Sequence, residues 1–350
     1  MKTTSFSRLS LYNQCSEMYK QKYIVKGNDW KSETSEALLV GSLTHYLLES
    51  ALADSSITSI DAFYLVLPEF LKELDLYDEL KDCTNELVSL CVELSHFFYR
   101  ASSRCVSPNK IRTKAGELPK DIVNFPPRQV QEELNEKDLK NYIAEFNQIA
   151  GRKRNLFITV NFTWMLSKAL FFARYFKIPA SIVETLHIEL GFSTNDNNKV
   201  PWVGDTFMKG FIDWIVKFDG GAIGIIDHKT SKEQPDVYQI SNHPQLNIYA
   251  YVYNYIYGKY PEYIGINHLP SGNLIIAELD LNTVNETVKY YKQVQMMIDA
   301  NIFLRHHPNE YNVPCFKKDW RTKEIIYVCP ALKNCWSIYA ETLPVASNLI

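Results

Sequence analysis

Three residues carry the chemistry that is most legible in this chain. Asp213 stands in Lys-Gly-Phe-Ile-Asp-Trp-Ile-Val, and fourteen positions later Ile-Ile-Asp-His-Lys-Thr supplies Asp227 and Lys229. Residues i and i+2 of a β-strand project to one face. Asp227 and Lys229 therefore point together, with His228 on the other side. A preceding strand ending in Ile-Asp can bring Asp213 beside them. Two carboxylates bind a hard divalent cation, and a lysine can steady a water or an anionic transition state. Those are the parts of a metal-dependent phosphodiesterase. The same spacing also suits a plain Asp–Lys salt bridge. The surroundings favour a site: Phe211, Ile212, Trp214, Ile215, Ile223, Ile225 and Ile226 make the segment core-like, and unpaired charge is costly there.

The elements that must position these residues follow from local pattern. Apolar and aromatic positions over 5–26 predict a helix, and 34–53 predict a second, with Thr34 or Ser35 as its cap. Helical periodicity continues through 58–100. Residues 101–135 are polar and broken by Pro108, Pro119, Pro126 and Pro127, and 136–176 resume the helical pattern. From Ile182 the texture changes to strands: Val183–Phe192, one or two within Val203–Phe218, and Ala222–Lys229. A helix over 236–258 is interrupted at Pro244. Strands at Tyr263–Leu269 and Asn273–Leu279 flank Pro270-Ser-Gly-Asn, and a last long helix covers 282–305.

The fold class expected is α/β, a central mixed sheet flanked by helices, with a helical insertion. The divisions are 1–50 (N-terminal helices of the catalytic domain), 51–175 (insertion), 176–305 (core) and 306–350 (a cysteine-bearing tail). Hydrophobic residues make up 46% and charged residues 22% of the 350, as in soluble globular proteins. No apolar run reaches the roughly 18–20 residues that span a bilayer. The first residues lack an apolar signal region, so the expectation is a cytoplasmic protein with no membrane partner. A net charge of −3 means that nucleic acid would have to meet a local basic groove. Arg152-Lys153-Arg154 is the first candidate for that groove, followed by Lys110, Arg112 and Lys114; a solvated surface is the plainer reading of such runs.

Five segments, in order, resemble the PD-(D/E)XK nucleases of the RecB-like group, which includes the AddB nuclease domain and the CRISPR-adaptation exonucleases. They are Ser7-Arg-Leu-Ser-Leu-Tyr12-Asn-Gln-Cys15, Gly41-Ser-Leu-Thr-His45, Gly210-Phe-Ile-Asp213, Asp227-His-Lys229-Thr230 and Gln245-Leu-Asn-Ile-Tyr249. The resemblance implies a restriction-endonuclease-like core and a catalytic set of His45, Asp213, Asp227, Lys229, Gln245 and Tyr249. Asp213 and Asp227 would hold Mg2+ or Mn2+, and His45 would complete the ion's coordination or bind the water beside it. Lys229 would orient or activate the attacking water, or stabilise charge on the phosphorane. Gly41, one turn before His45, would let its helix approach closely. Gln245 and Tyr249 share a helix face and would border the site. An acidic residue on the first core strand is matched by Glu184 or by Glu189. Where the family often has Arg after Gly, this chain has Phe211.

The resemblance also implies a role for cysteines. Cys15 near the start, with Cys315, Cys329 and Cys335 near the end, would hold a four-iron, four-sulfur cluster that staples the two ends; four thiolates also suit zinc. Relatives place the first two C-terminal cysteines as C-x2-C, whereas thirteen residues separate Cys315 from Cys329. Cys83, Cys91 and Cys105 read as buried small hydrophobes. The function implied is a metal-dependent DNA nuclease, an exonuclease acting on single strands or DNA ends in recombination, repair or replication. A separate helicase or recombination protein would be its partner, in a bacterial or phage-infected cell. An inactive nuclease fold retained as a DNA-binding scaffold, and a nuclease acting on RNA, stand as alternatives.

Overall fold

In the computed structural model the described residues are 2–25, 36–54, 56–74, 156–194, 198–231, 233–303, the strands 316–318 and 325–327, and positions between 76 and 95. The chain begins with β1 (Lys2–Thr4), α1 (Phe6–Gln14) and α2 (Ser16–Tyr23). It continues with α3 (Glu36–Ala53), α4 (Ser59–Glu73), α5 (Tyr77–Leu80) and α6 (Leu156–Tyr175). Strands β2 (Ile182–Phe192), β3 (Val200–Val203), β4 (Thr206–Met208), β5 (Gly210–Phe218) and β6 (Ile223–Lys229) follow. Then come α7 (Val237–Ser241), α8 (Pro244–Tyr257), β7 (Tyr263–His268), β8 (Asn273–Glu278), α9 (Leu281–Asp299), β9 (Phe316–Lys318) and β10 (Ile325–Tyr327).

The centre is a five-stranded mixed sheet in the order β2-β5-β6-β7-β8. Its pairs are antiparallel except β6–β7, which run parallel across the crossover that contains α7 and α8. Burial on both faces explains why β6 reads Ile-Gly-Ile-Ile without polar alternation. Its side chains are nonetheless sorted. Ile223 and Ile225 join the large core made with α1, α8 and α9. Ile226 joins Trp214, Val216 and Phe218 on the opposite face. Each such fully buried side chain contributes roughly 1.5–3 kcal/mol.

A separate hydrophobic core unites α3, α4 and α6: Leu43 and Leu47 pack with Phe63, Leu67, Leu71, Leu166 and Leu170. Cys91 lies buried in that core, as a small hydrophobe. Thr58 and Asp61 form a reciprocal capping box at the start of α4, which satisfies N-terminal amides that would otherwise lack partners.

Several elements differ from the sequence expectation. The helix expected over 5–26 is two, broken at Cys15, which is extended (φ −159°, ψ 105°) and whose sulfur accepts a hydrogen bond from Met18 N at 3.4 Å. Val203–Phe218 contributes parts of three strands, because Gly204 (φ +56°) turns the chain between β3 and β4. β4 also pairs in parallel with β1. The last long helix ends at Asp299, where Ala300 caps it and Asn301 turns left-handed at φ +55°. At Pro244 the expected interruption is a fresh start: proline opens α8, and Gly258 closes it at φ +72°. The expected cap at Thr34 or Ser35 falls outside the described residues.

Candidate metal centre

Antiparallel pairing of β5 and β6 matches Trp214 with Ile226, and one step further along brings Asp213 level with Asp227. Asp213 Oδ2 accepts a hydrogen bond from the backbone N–H of His228 at 2.9 Å. Lys229 Nζ lies 2.6 Å from Asp227 Oδ2, so the expected shared face exists. His228 occupies the other face. Its ring stacks on Trp214 at 5.6 Å, and its Nδ1 accepts from Asn267 Nδ2 at 2.8 Å. Burial first, then the nearby charges of His45 and Lys229, push its pKa down to about 3, and it stays neutral.

The helix α3 delivers His45 to the same end of the sheet. His45 Nε2–H donates to the His228 carbonyl at 3.0 Å. That bond directs Nδ1 at two carboxylates: Glu189 Oε1 at 3.6 Å and Asp213 Oδ2 at 3.5 Å. A Cβ added to Gly41 would sit 3.5 Å from Thr230 Oγ1. That is ordinary contact, so α3 comes close to the end of β6 without requiring glycine.

Glu189 is the acidic residue whose strand position the sequence left undecided. β2 pairs Ile188 with Trp214 and Leu190 with Ile212, which sets Glu189 opposite Asp213. Its backbone is left-handed at φ +47°, a conformation that costs a non-glycine residue roughly 1–2 kcal/mol and that clusters at functional sites. Glu184, the other candidate, instead pairs with Lys217 at 3.2 Å on the surface. The alternation of β2 could not choose between them, because its pairing is irregular between Ile182 and Glu184 and between Thr185 and His187.

His45, Glu189 and Asp213 thus offer three ligand atoms within 4.8 Å of one another. Asp227 stands beside this group, with one oxygen held by Lys229. Burial, then the charge of Asp227, push the Asp213 pKa up to about 7. Burial opposes protonation of His45, but the hydrogen bond to Glu189 and the charges of Asp213, Asp227 and Glu189 prevail and raise it to about 9. The cluster is short of positive charge, and a proton on His45 Nδ1 occupies the direction a cation would take. Carboxylate oxygens with one imidazole suit a hard divalent ion, so these residues fit one.

Lys229 is also buried, which lowers its pKa, yet the charge of Asp227 and their hydrogen bond raise it above the ordinary lysine range. Its ammonium donates to Gln245 Oε1 at 3.4 Å, and Gln245 Nε2 donates to the Tyr249 hydroxyl at 2.8 Å. Both residues stand on α8, one turn apart. Every residue expected in the catalytic set is therefore brought to one place. Of the cysteines expected to hold a cluster, Cys15 is described and buried. Cys315, Cys329 and Cys335 lie outside the described residues, as do Arg152, Lys153 and Arg154 and the further basic positions 110, 112 and 114. Among the described residues no helix is long and apolar enough to cross a membrane.

The PD-(D/E)XK nuclease superfamily model matches residues 115–301, just over half of the chain, and the chain belongs to this superfamily. The five-stranded mixed sheet flanked by helices is the corresponding restriction-endonuclease-like fold. The match spans Glu189, Asp213, Asp227, Lys229, Gln245 and Tyr249, and begins after His45. No curated protein matches the chain.

Proposed function

We propose that this PD-(D/E)XK nuclease is a Mg2+- or Mn2+-dependent deoxyribonuclease of RecB-like type, an exonuclease that processes DNA ends in recombination, repair or replication. The observation that carries the reading is the convergence of His45 Nδ1, Glu189 and Asp213 within 4.8 Å, beside the 2.6 Å Asp227–Lys229 pair. His45, Asp213 and Asp227 would hold the cation, and Glu189 would join them. A bound cation supplies Lewis-acid charge to a phosphate and lowers the pKa of a water.

The chain's own groups do the rest. His228 N–H fixes Asp213, and the His228 carbonyl fixes the His45 tautomer that presents Nδ1. Lys229 keeps its proton, because Asp227 outweighs burial. It therefore acts as a cation that steadies an attacking water and the charge growing on the phosphate oxygens, rather than as a base. Gln245 holds the ammonium, and Tyr249 holds the Gln245 amide.

The order of the RecB-like segments, from Ser7 to Tyr249, supports the end-processing role, with DNA supplied as single strands or ends by a separate helicase or recombination protein. A cytoplasmic setting, in a bacterial or phage-infected cell, belongs to the same reading. So do the four divisions of the chain and backbone contacts from Arg152, Lys153 and Arg154. We also propose that Cys15 joins Cys315, Cys329 and Cys335 at a four-iron, four-sulfur cluster rather than zinc. The Met18 amide on the Cys15 sulfur suits a thiolate, since such hydrogen bonds tune cluster sulfurs. Iron and sulfide assays with visible absorbance after anaerobic purification test this; a folded, colourless protein without iron rejects it. For the nuclease reading, strands labelled at the 5′ or 3′ end, in single- and double-stranded DNA and in RNA, are incubated with Mg2+, Mn2+ or a chelator. Cation-dependent loss of label from DNA ends is expected. Cleavage confined to RNA, or binding without cleavage, replaces it with the corresponding alternative.

A further inference from the structure

A pocket of about 230 Å3 opens beside Asp213, lined in part by Phe192, Phe211, Tyr249 and Lys209. The strand register explains its aromatic wall. Across β2–β5, Gly191 pairs with Phe211 and Phe192 with Gly210. A Cβ on Gly191 would come within 3.2 Å of the Phe211 ring, and one on Gly210 within 2.7 Å of the Phe192 ring. Each phenylalanine thus lies over the glycine opposite. Phe192 is 1% exposed and meets Tyr249 edge-on at 6.0 Å, so it is core. Phe211 is 47% exposed. Covering a glycine accounts for a ring at this position, but not for leaving almost half of it exposed at the edge of a pocket that reaches Asp213.

The rest of the lining matches one ligand chemistry. Among the described residues that line the pocket, Lys209 alone is basic, and Ser5 and Ser7 add hydroxyls. An exposed aromatic face next to a cation is how proteins take a nucleotide of a single strand, the base stacking and the phosphate pairing with charge. The volume is below the roughly 300–1,000 Å3 of drug-sized ligand sites, which suits one ring system.

We propose that Phe211 is a substrate-binding residue on which one unpaired nucleobase stacks, next to the phosphate being cut, with Lys209 on that nucleotide's phosphate. This rests on the nuclease reading above. It adds that the substrate must present an unpaired nucleotide at the site, from a single strand or a frayed end.

The test uses the full chain and single-stranded oligonucleotides in which one nucleotide at a time lacks its base, walked past the cleaved phosphate. In wild type, KM is expected to rise at least about fivefold at one position, with little change in kcat. Phe211→Ala should show that KM on the intact strand and lose no more when the base is missing, while Phe211→Trp keeps the wild-type pattern. Each ratio is taken within one preparation, so partial misfolding does not mask it. Stacking is also read without cleavage: in chelator, wild type should quench a 2-aminopurine strand and Phe211→Ala should not. If Phe211→Ala keeps wild-type KM, stays as sensitive to the missing base, or quenches equally, the proposal is overturned. Quenching that depends on Phe211 without cleavage under any cation would instead overturn the nuclease reading.

Discussion

Lys229 Nζ lies 2.6 Å from Asp227 Oδ2, two positions along the same strand. The pairing keeps Lys229 charged in spite of its burial. Removing that charge by Lys229→Met is expected to lower kcat roughly 10²–10³-fold, the usual loss when one preorganised electrostatic contact is deleted. Cation binding, followed by thermal shift, should be retained or tightened, because Asp227 loses its competitor. A variant that cuts within a few-fold of wild type would show that Lys229 only pairs with Asp227.

Protonation of the cluster gives a second prediction. Asp213 rises to about 7 in the fold from about 3.9 unfolded. Its ionisation therefore costs stability progressively as pH climbs from about 4 to 7. His45 rises to about 9 from about 6.5; its contribution is complete below 6.5 and is lost as pH rises through 9. Both act in the same direction, so this cluster makes the cation-free protein less stable towards alkaline pH. A divalent ion needs ionised Asp213 and neutral His45, so the stabilisation from added Mn2+ should grow across that window. Melting curves with and without Mn2+ at stepped pH check it; a constant or shrinking increment contradicts it.

Glu189 faces Asp213 and holds a left-handed backbone. Glu189→Gln should weaken Mn2+ binding at least tenfold, on the order of losses at metal-site positions. Glu189→Gly should lose the same affinity and relieve the backbone. Unchanged affinity in both would place Glu189 outside the centre.

The Tyr249 hydroxyl is linked to Lys229 through Gln245. Tyr249→Phe deletes one neutral hydrogen bond, worth about 0.5–1.5 kcal/mol, and should slow turnover about 2- to 10-fold. A loss as large as that of Lys229→Met would mean that Tyr249 touches substrate.

Much of this site was legible in the sequence because period-2 geometry is local: Asp227, His228 and Lys229 sort onto their faces by parity alone. Gln245 and Tyr249 follow from helical spacing in the same way. Glu189 was not decidable, since Glu184 and Glu189 differ in parity and irregular pairing in β2 breaks the count. The division at Cys15 was also hidden, because apolar spacing continues across it and a thiol is an unusual helix cap. The parallel pairing of β1 with β4 joins distant segments and has no local signal. Phe211 could be seen only as a departure from the family pattern; its place over Gly191 needed the register.

If Asp213 and Asp227 support cation-dependent cutting of a nucleic-acid strand, wild type and Asp227→Asn should differ on end-labelled single-stranded DNA compared in Mg2+, in Mn2+ and in chelator, at equal folded protein. Wild type should release label with either cation and none in chelator, and Asp227→Asn should fall by at least about 10²-fold in both cations. Equal release by the two proteins, or release that survives chelation, would contradict the account.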